Sequence, residues 1–145
     1  MEMKKVFGKN ELQEFFKKLG TLLSEPLEVF LLGGGAMAFR NQKNATKDLD
    51  LVFENEASSK LFCAAISRLD FTERKKFEIT FEYAKMQALG GIWDSKDNGL
   101  RLDLFIKKVC NALEVTKDMV KRSELLGVYG NLSVKMFSNE DIILF

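Results

Sequence analysis

The segment VFLLGGGAMAFRNQKNATKDLDLVF, residues Val29–Phe53, decides the fold of this chain. An apolar strand breaks into three consecutive glycines, residues 33–35, and a second strand soon afterwards carries Asp48 and Asp50. Because side chains alternate along a strand, both acids project from one face and the leucines that follow them project from the other. Two adjacent carboxylates repel each other unless a cation lies between them, and a divalent metal is the usual one. The segment therefore predicts a metal site beside a glycine turn that can admit phosphate.

The bulk properties indicate an ordinary globular domain. The chain has 145 residues, with 22 basic and 21 acidic side chains, so its overall charge points to no polyanionic partner. Its two cysteines, Cys63 and Cys110, predict reduced thiols in a cytoplasmic protein and exclude a zinc site built on cysteine. No apolar run approaches the ~20 residues that a membrane-spanning helix needs.

The chain contains no histidine. This excludes the Ser-His-Asp and Cys-His catalytic arrangements and the HExxH zinc motif. The acid and base chemistry open to the protein is therefore mostly carboxylate chemistry, which adds weight to the paired aspartates.

Periodicity predicts alternating helices and strands. We expect an amphipathic helix from a capping box at Asn10 and Gln13 to Pro26, and a helical pattern over residues 61–69. Residues 71–89 fit a strand or a helix equally well. The other expected elements are strands at 27–32 and 49–54, a brief helix at 36–41, a polar loop at 41–47, a hairpin of 92–95 and 100–109, a helix at 116–123, and a hairpin of 125–129 and 132–137.

The glycines admit three interpretations. They could form a simple strand-to-helix turn. Gly33, Gly35 and Ala38 also fit the dinucleotide-binding pattern, with Glu54 placed as a ribose-binding acid, although the helix that follows is short for that crossover. A Walker loop is excluded because no Gly-Lys-Ser/Thr follows. The third interpretation joins the glycines to the acids.

The third interpretation depends on a spacing. LLGG is followed after 13 residues by Asp-Leu-Asp-Leu, and a further acid, Asp103, lies in the later strand RLDLFIKK. This order resembles the signature of the nucleotidyltransferase superfamily, whose fold is that of DNA polymerase beta. The chain is most similar to the abortive-infection and MenT-type toxin nucleotidyltransferases. The segments that carry this resemblance are GGGAMAFRN, TKDLDLVF, RLDLF and SNEDIILF.

The resemblance implies a function and roles for individual residues. Asp48, Asp50 and Asp103 would be both the catalytic acids and the ligands of Mg²⁺ or Mn²⁺, and Asp103 would help to activate the attacking hydroxyl. Gly33, Gly34 and Lys47 would bind the nucleoside triphosphate. Because Gly34 replaces the serine of many relatives, phosphate contacts would come from backbone N–H groups. The implied acceptor is tRNA or a protein hydroxyl, and an antitoxin is an implied partner.

Each motif also has a plainer interpretation. Taken singly, Asp48 and Asp50 fit a solvent-facing edge strand, and Asp103 fits a surface acid paired with Arg101 or Lys107. A set of basic residues could hold triphosphate or RNA, or simply be solvated: Lys43, Lys47, Arg101, Lys107 and Lys108. The turn at residues 94–99 fails as a calcium loop, since Lys96 and Phe105 occupy ligand positions.

We therefore expect an α+β fold with a small mixed, twisted sheet flanked by helices. A single nucleotidyltransferase-like domain would span residues 1–145, with an N-terminal helical segment at 1–26, a catalytic core at 27–137 and the start of a helix at 138–145. That last helix would be cut short at the C-terminus. The expected function is metal-dependent transfer of a nucleoside monophosphate. The alternatives are a catalytically silent nucleotide- or protein-binding module and a Rossmann-type dinucleotide binder.

Overall fold

The computed structural model describes residues 6–75, 88–109 and 113–138. In these ranges the helices are α1 (Lys9–Leu22), α2 (Gly33–Phe39), α3 (Glu56–Ser67) and α4 (Lys117–Arg122). The strands are β1 (Leu27–Leu32), β2 (Asp48–Phe53), β3 (Phe71–Glu73), β4 (Gly91–Ser95), β5 (Arg101–Ile106), β6 (Lys108–Val109), β7 (Leu113–Glu114), β8 (Glu124–Tyr129) and β9 (Leu132–Met136).

Seven of these strands form one mixed sheet in the order β3-β4-β5-β2-β1-β9-β8. β2 runs parallel to β5 and β1 runs parallel to β9, while the other neighbours are antiparallel. β6 and β7 form a separate two-stranded ribbon. The expected α+β fold with helices around a mixed sheet is confirmed.

The two faces of the sheet differ. One face carries the main core, in which α1 and α3 cover the inward side chains of the strands, with Phe16 and Phe62 fully buried. Alternation places the aspartates of β2 and β5 on the opposite face. A smaller core packs on that second face: Phe30, Leu32, Val52, Phe105, Met119 and Phe137. The metal-site candidates therefore lie beside a small core.

Most element predictions are confirmed, and two helix starts are corrected. α1 begins at Lys9 after Gly8, whose N–H donates to the Glu11 carboxylate at 3.1 Å, so the cap is not at Asn10. α2 begins at Gly33, where the helix includes the glycines that were expected to precede it. Both hairpins form as expected. The ambiguous stretch begins as β3, and its residues 76–87 lie outside the described ranges, as do Cys110 and residues 139–145 of the expected last helix.

Among the described residues, no helix has both the length and the apolar character needed to cross a membrane.

Candidate active site

The three candidate acids lie on two adjacent parallel strands. The register of β2 and β5 sets Asp50 opposite Asp103 and Asp48 opposite Arg101. All four side chains share one face, because each pair of positions on a strand is two residues apart. β2 lies between β5 and β1 in the middle of the sheet. The interpretation of Asp48 and Asp50 as edge-strand residues is therefore wrong.

Arg101 lies among these carboxylates. Its Nη2 donates to Asp48 Oδ2 at 2.7 Å and to Asp103 Oδ2 at 3.4 Å, and its Nε lies 3.3 Å from Asp103 Oδ1. Asp103 is completely buried, which contradicts its interpretation as a surface acid, although the pairing with Arg101 is present. Within the described part of the chain, Asp103 Oδ1 accepts no hydrogen bond. The site thus holds a fully enclosed carboxylate whose Oδ1 is paired with the Arg101 guanidinium but accepts no hydrogen bond.

Asp48, Asp50 and Asp103 form an acid cluster, in which burial and mutual repulsion raise the pKa values of Asp50 and Asp103. Desolvation, with the neighbouring charges of Asp103 and Asp48, raises the pKa of Asp50 to about 7. Desolvation also raises the pKa of Asp103, although Arg101 opposes the shift. Three carboxylates on one face, of which Asp103 is fully buried and the other two are half-buried, are typical of a site that a cation completes.

This acidity predicts a pH dependence of stability. Between about pH 4 and pH 7 the metal-free native chain keeps the Asp50 proton, whereas the unfolded chain, whose pKa is near 3.8, has lost it. The free energy of unfolding should therefore fall as pH rises through this window, by on the order of 2 kcal/mol. Urea unfolding in EDTA at pH 5 and pH 8 measures the fall. Asp50→Asn should flatten it, and an equally steep fall in that variant would contradict the assignment.

The glycine turn lies against the acids. Gly33 has a φ of +58°, and a Cβ there would lie 3.2 Å from Asp50 Oδ2, so a side chain would be both strained and crowded. A Cβ at Gly34 would lie 3.1 Å from Thr46 Oγ1 and 3.3 Å from Lys43 Nζ. Because neither position carries a side chain, the space beside Asp50 and the space beside the loop before β2 both stay open.

An open cavity of about 470 Å³ begins at Asp48. The buried Thr46 anchors its wall, because its hydroxyl donates to the Asp48 carbonyl at 2.9 Å and its backbone pairs with Phe7 in both directions. Two lysines give the cavity a positive lining. The lining residues are Val6, Gly34, Lys43, Ala45, Thr46, Lys47 and Asp48. An anion in this cavity would therefore meet Lys43 and Lys47 as well as the Asp48 carboxylate.

The sequence predicts phosphate contacts at Gly33, Gly34 and Lys47. Gly34 and Lys47 line this cavity, whereas Gly33 lies against Asp50 and is not one of the lining residues. The sequence predicted no role for Thr46, and for Arg101 and Lys43 it left open whether they hold triphosphate or RNA or are simply solvated. Lys107 and Lys108 are exposed. One sequence feature could have identified Arg101 as a site residue: it lies two residues before Asp103, on the same face of the same strand.

The dinucleotide-binding interpretation does not fit the strand directions. β1 and β2 are antiparallel, whereas that motif joins parallel strands through a crossover helix. Glu54 follows β2 at the end remote from the glycines. There, burial and the neighbouring charge of Glu28 raise the pKa of Glu54, and Lys135 opposes the rise. The turn at 94–99 serves a hairpin, and Asp94 is bound by Arg74 at 2.6 and 2.9 Å.

The donor set suits a hard divalent cation. Three carboxylates, one with an oxygen that accepts no hydrogen bond, are the ligands that Mg²⁺ and Mn²⁺ prefer. In the described ranges no three acidic or cysteine side chains converge on one point, and Arg101 bridges Asp48 and Asp103. The carboxylates are therefore chemically suited to a divalent metal, but the Arg101 guanidinium lies between two of them.

No family model, curated protein or solved structure matches the chain. The function of the chain is therefore inferred from its site.

Proposed function

We propose that the chain is a metal-dependent nucleotidyltransferase that moves a nucleoside monophosphate from a nucleoside triphosphate to a hydroxyl of tRNA or protein. The observation that carries the proposal is the joint position of the acids and the cavity. Asp50 and Asp103 are register partners beside Gly33, and Asp48 opens onto a lysine-lined cavity.

Different residues of the site would have different roles in the reaction. Asp48, Asp50 and Asp103 would hold Mg²⁺ or Mn²⁺, which when bound neutralises charge on the reacting phosphate and favours ionisation of the attacking hydroxyl. Backbone N–H groups at Gly33 and Gly34 would contact the β- and γ-phosphates.

Burial raises the pKa of Asp103, although Arg101 opposes the rise, and a raised pKa favours a role as proton acceptor. It would take the proton of the acceptor hydroxyl as that oxygen bonds to the α-phosphorus. The bond from the α-phosphorus to the β-phosphate oxygen would break, and pyrophosphate would leave with the electron pair. Atoms and charges balance without a further co-reactant.

The proposal is tested by transfer of label. The chain is incubated with Mg²⁺ or Mn²⁺, each of the four triphosphates labelled at the α-phosphate, and either total tRNA or total protein. The wild type should label one acceptor class, and Asp50→Ala should label none. Absence of label from every combination, together with no thermal shift on adding metal and nucleotide, would refute it.

The role as a toxin with an antitoxin partner stays part of this proposal. Induction of the wild-type chain in a bacterial host should then arrest growth, whereas induction of Asp50→Ala should not. Normal growth with the active wild type would remove the toxin role and leave the transferase.

A catalytically silent binding module is the second candidate. The ion pairs of Arg101 with Asp48 and Asp103 favour it, because they neutralise part of the acid cluster without a metal. A silent module would show a thermal shift with nucleotide and no transfer of label.

The cavity lysines give a separate prediction. Lys43→Met and Lys47→Met should each raise the KM for the triphosphate by about 10-fold, because each removes a charge-assisted contact worth ~1.5 kcal/mol or more, and should change kcat little. Initial rates over a range of triphosphate concentrations measure this. Lys60→Met is the control, since that lysine is exposed on α3 beside Glu56. A KM equal to that of the control would remove the lysines from the phosphate site.

A further inference from the structure

Arg101 brings a positive charge between Asp48 and Asp103 in the acid cluster. Its guanidinium reaches Asp48 at 2.7 Å with one nitrogen and lies 3.3 to 3.4 Å from both oxygens of Asp103. The side chain is only 19% exposed, and Asp103 is not exposed at all. A largely desolvated cation therefore links the two strands that carry the acids.

The charges of the cluster explain why an arginine is suited to this position. Asp48, Asp50 and Asp103 carry three formal negative charges, and Arg101 brings one positive charge between them. A guanidinium is charged at every relevant pH and presents several donors in a plane, so it can contact two carboxylates at once. A divalent ion that bridged the same oxygens would place two further positive charges beside this one.

We propose that Arg101 is the built-in counter-ion of the metal-free chain and competes with the divalent metal for Asp48 and Asp103. The metal binds these carboxylates only as the guanidinium leaves them. Arg101 therefore stabilises the metal-free fold and lowers the affinity for metal, which makes loading of the site depend on metal concentration. This inference rests on the proposed metal site.

The test measures metal affinity apart from activity. Mn²⁺ binding is followed by the loss of the free-ion signal in electron paramagnetic resonance, for wild type, Arg101→Met, Arg101→Lys and Arg74→Met. Methionine keeps an apolar stem without charge. Arg74→Met is the matched control, because that arginine is 27% exposed and is paired with Asp94. Its charge acts on Asp103 from a distance, so this variant removes a nearby positive charge without removing a direct contact with the three acids.

Arg101→Met should bind Mn²⁺ about 10-fold more tightly than wild type, since the metal no longer displaces an ion pair. Arg101→Lys should bind about 3-fold more tightly, because a single ammonium bridges two carboxylates less well. Arg74→Met should stay within about 2-fold of wild type. In EDTA, Arg101→Met should melt below wild type, and Mn²⁺ should raise its melting temperature by more than it raises that of wild type.

The outcomes separate this inference from the proposed function. Wild type that binds Mn²⁺ while both Arg101 variants bind it equally or more weakly would overturn the counter-ion role and leave the metal site. If Arg101→Met does not fold, the affinity of Arg101→Lys decides. If no variant binds Mn²⁺, with or without triphosphate, the metal site fails and the counter-ion role fails with it.

Discussion

Asp50→Asn should abolish nucleotidyl transfer and at the same time make the metal-free chain more stable. Loss of transfer follows because the amide removes one charged ligand from the centre of the cluster, opposite Asp103. Metal contributes several kcal/mol to stabilisation of the transition state, so we expect the rate to fall by roughly 10³-fold or more.

The gain in stability has the same cause. At pH 8 the wild-type chain must ionise a carboxyl group whose pKa is about 7 because it is buried beside Asp103 and Asp48. An amide of the same shape is neutral, so the free energy of unfolding in EDTA should rise by on the order of 2 kcal/mol.

Both effects are measured on one preparation, by label transfer and by urea unfolding at pH 8. Asp97→Asn is the matched control, since Asp97 is an exposed acid in the turn between β4 and β5. It should change neither quantity. An inactive Asp50→Asn that is also less stable than wild type would mean that Asp50 is structural and not a strained functional acid.

Gly20→Ala should destabilise the fold by at least ~3 kcal/mol. Gly20 is a buried residue of α1, and a Cβ there would lie 1.8 Å from the Tyr129 carbonyl oxygen at the end of β8. A backbone atom cannot rotate away, so the helix and the hairpin would have to separate. The gain of ~1 kcal/mol that alanine brings to a helix interior is too small to compensate.

The matched control is Lys17→Ala, which places alanine at an exposed position of the same helix and removes only an exposed pair with Glu14. Urea unfolding should place it within ~0.5 kcal/mol of wild type. A Gly20→Ala variant as stable as this control would show that α1 does not pack so closely against the hairpin.

The sequence predicted the elements that position the site. Alternation of charged residues and leucines in DLDL and RLDL set the faces of β2 and β5. Asn98-Gly99 and Gly130-Asn131 marked turns between strands that do pair. Helix starts were less predictable, because the Glu11 side chain caps a glycine, and the three glycines enter α2 where β1 ends.

The strand order and the arginine could not be predicted from the sequence. Parallel pairing of β2 with β5 joins residues about 50 positions apart, and only that pairing sets Arg101 opposite Asp48. From the chain alone, Arg101 was one of five candidate basic residues and one of two that could pair with Asp103. The low exposure of Arg101 and its contacts with Asp48 and Asp103 depend on tertiary packing, as does the complete burial of Asp103.

The central claim is that Asp48, Asp50 and Asp103 hold one divalent metal site, and a crystal structure with Mn²⁺ and a non-hydrolysable triphosphate analogue tests it most directly. We predict an anomalous difference peak within ~2.2 Å of carboxylate oxygens of Asp48 and Asp50, with the phosphates in the lysine-lined cavity and Arg101 no longer bridging Asp48 and Asp103. A structure with bound analogue, no peak at these carboxylates and Arg101 still in contact with both would contradict it.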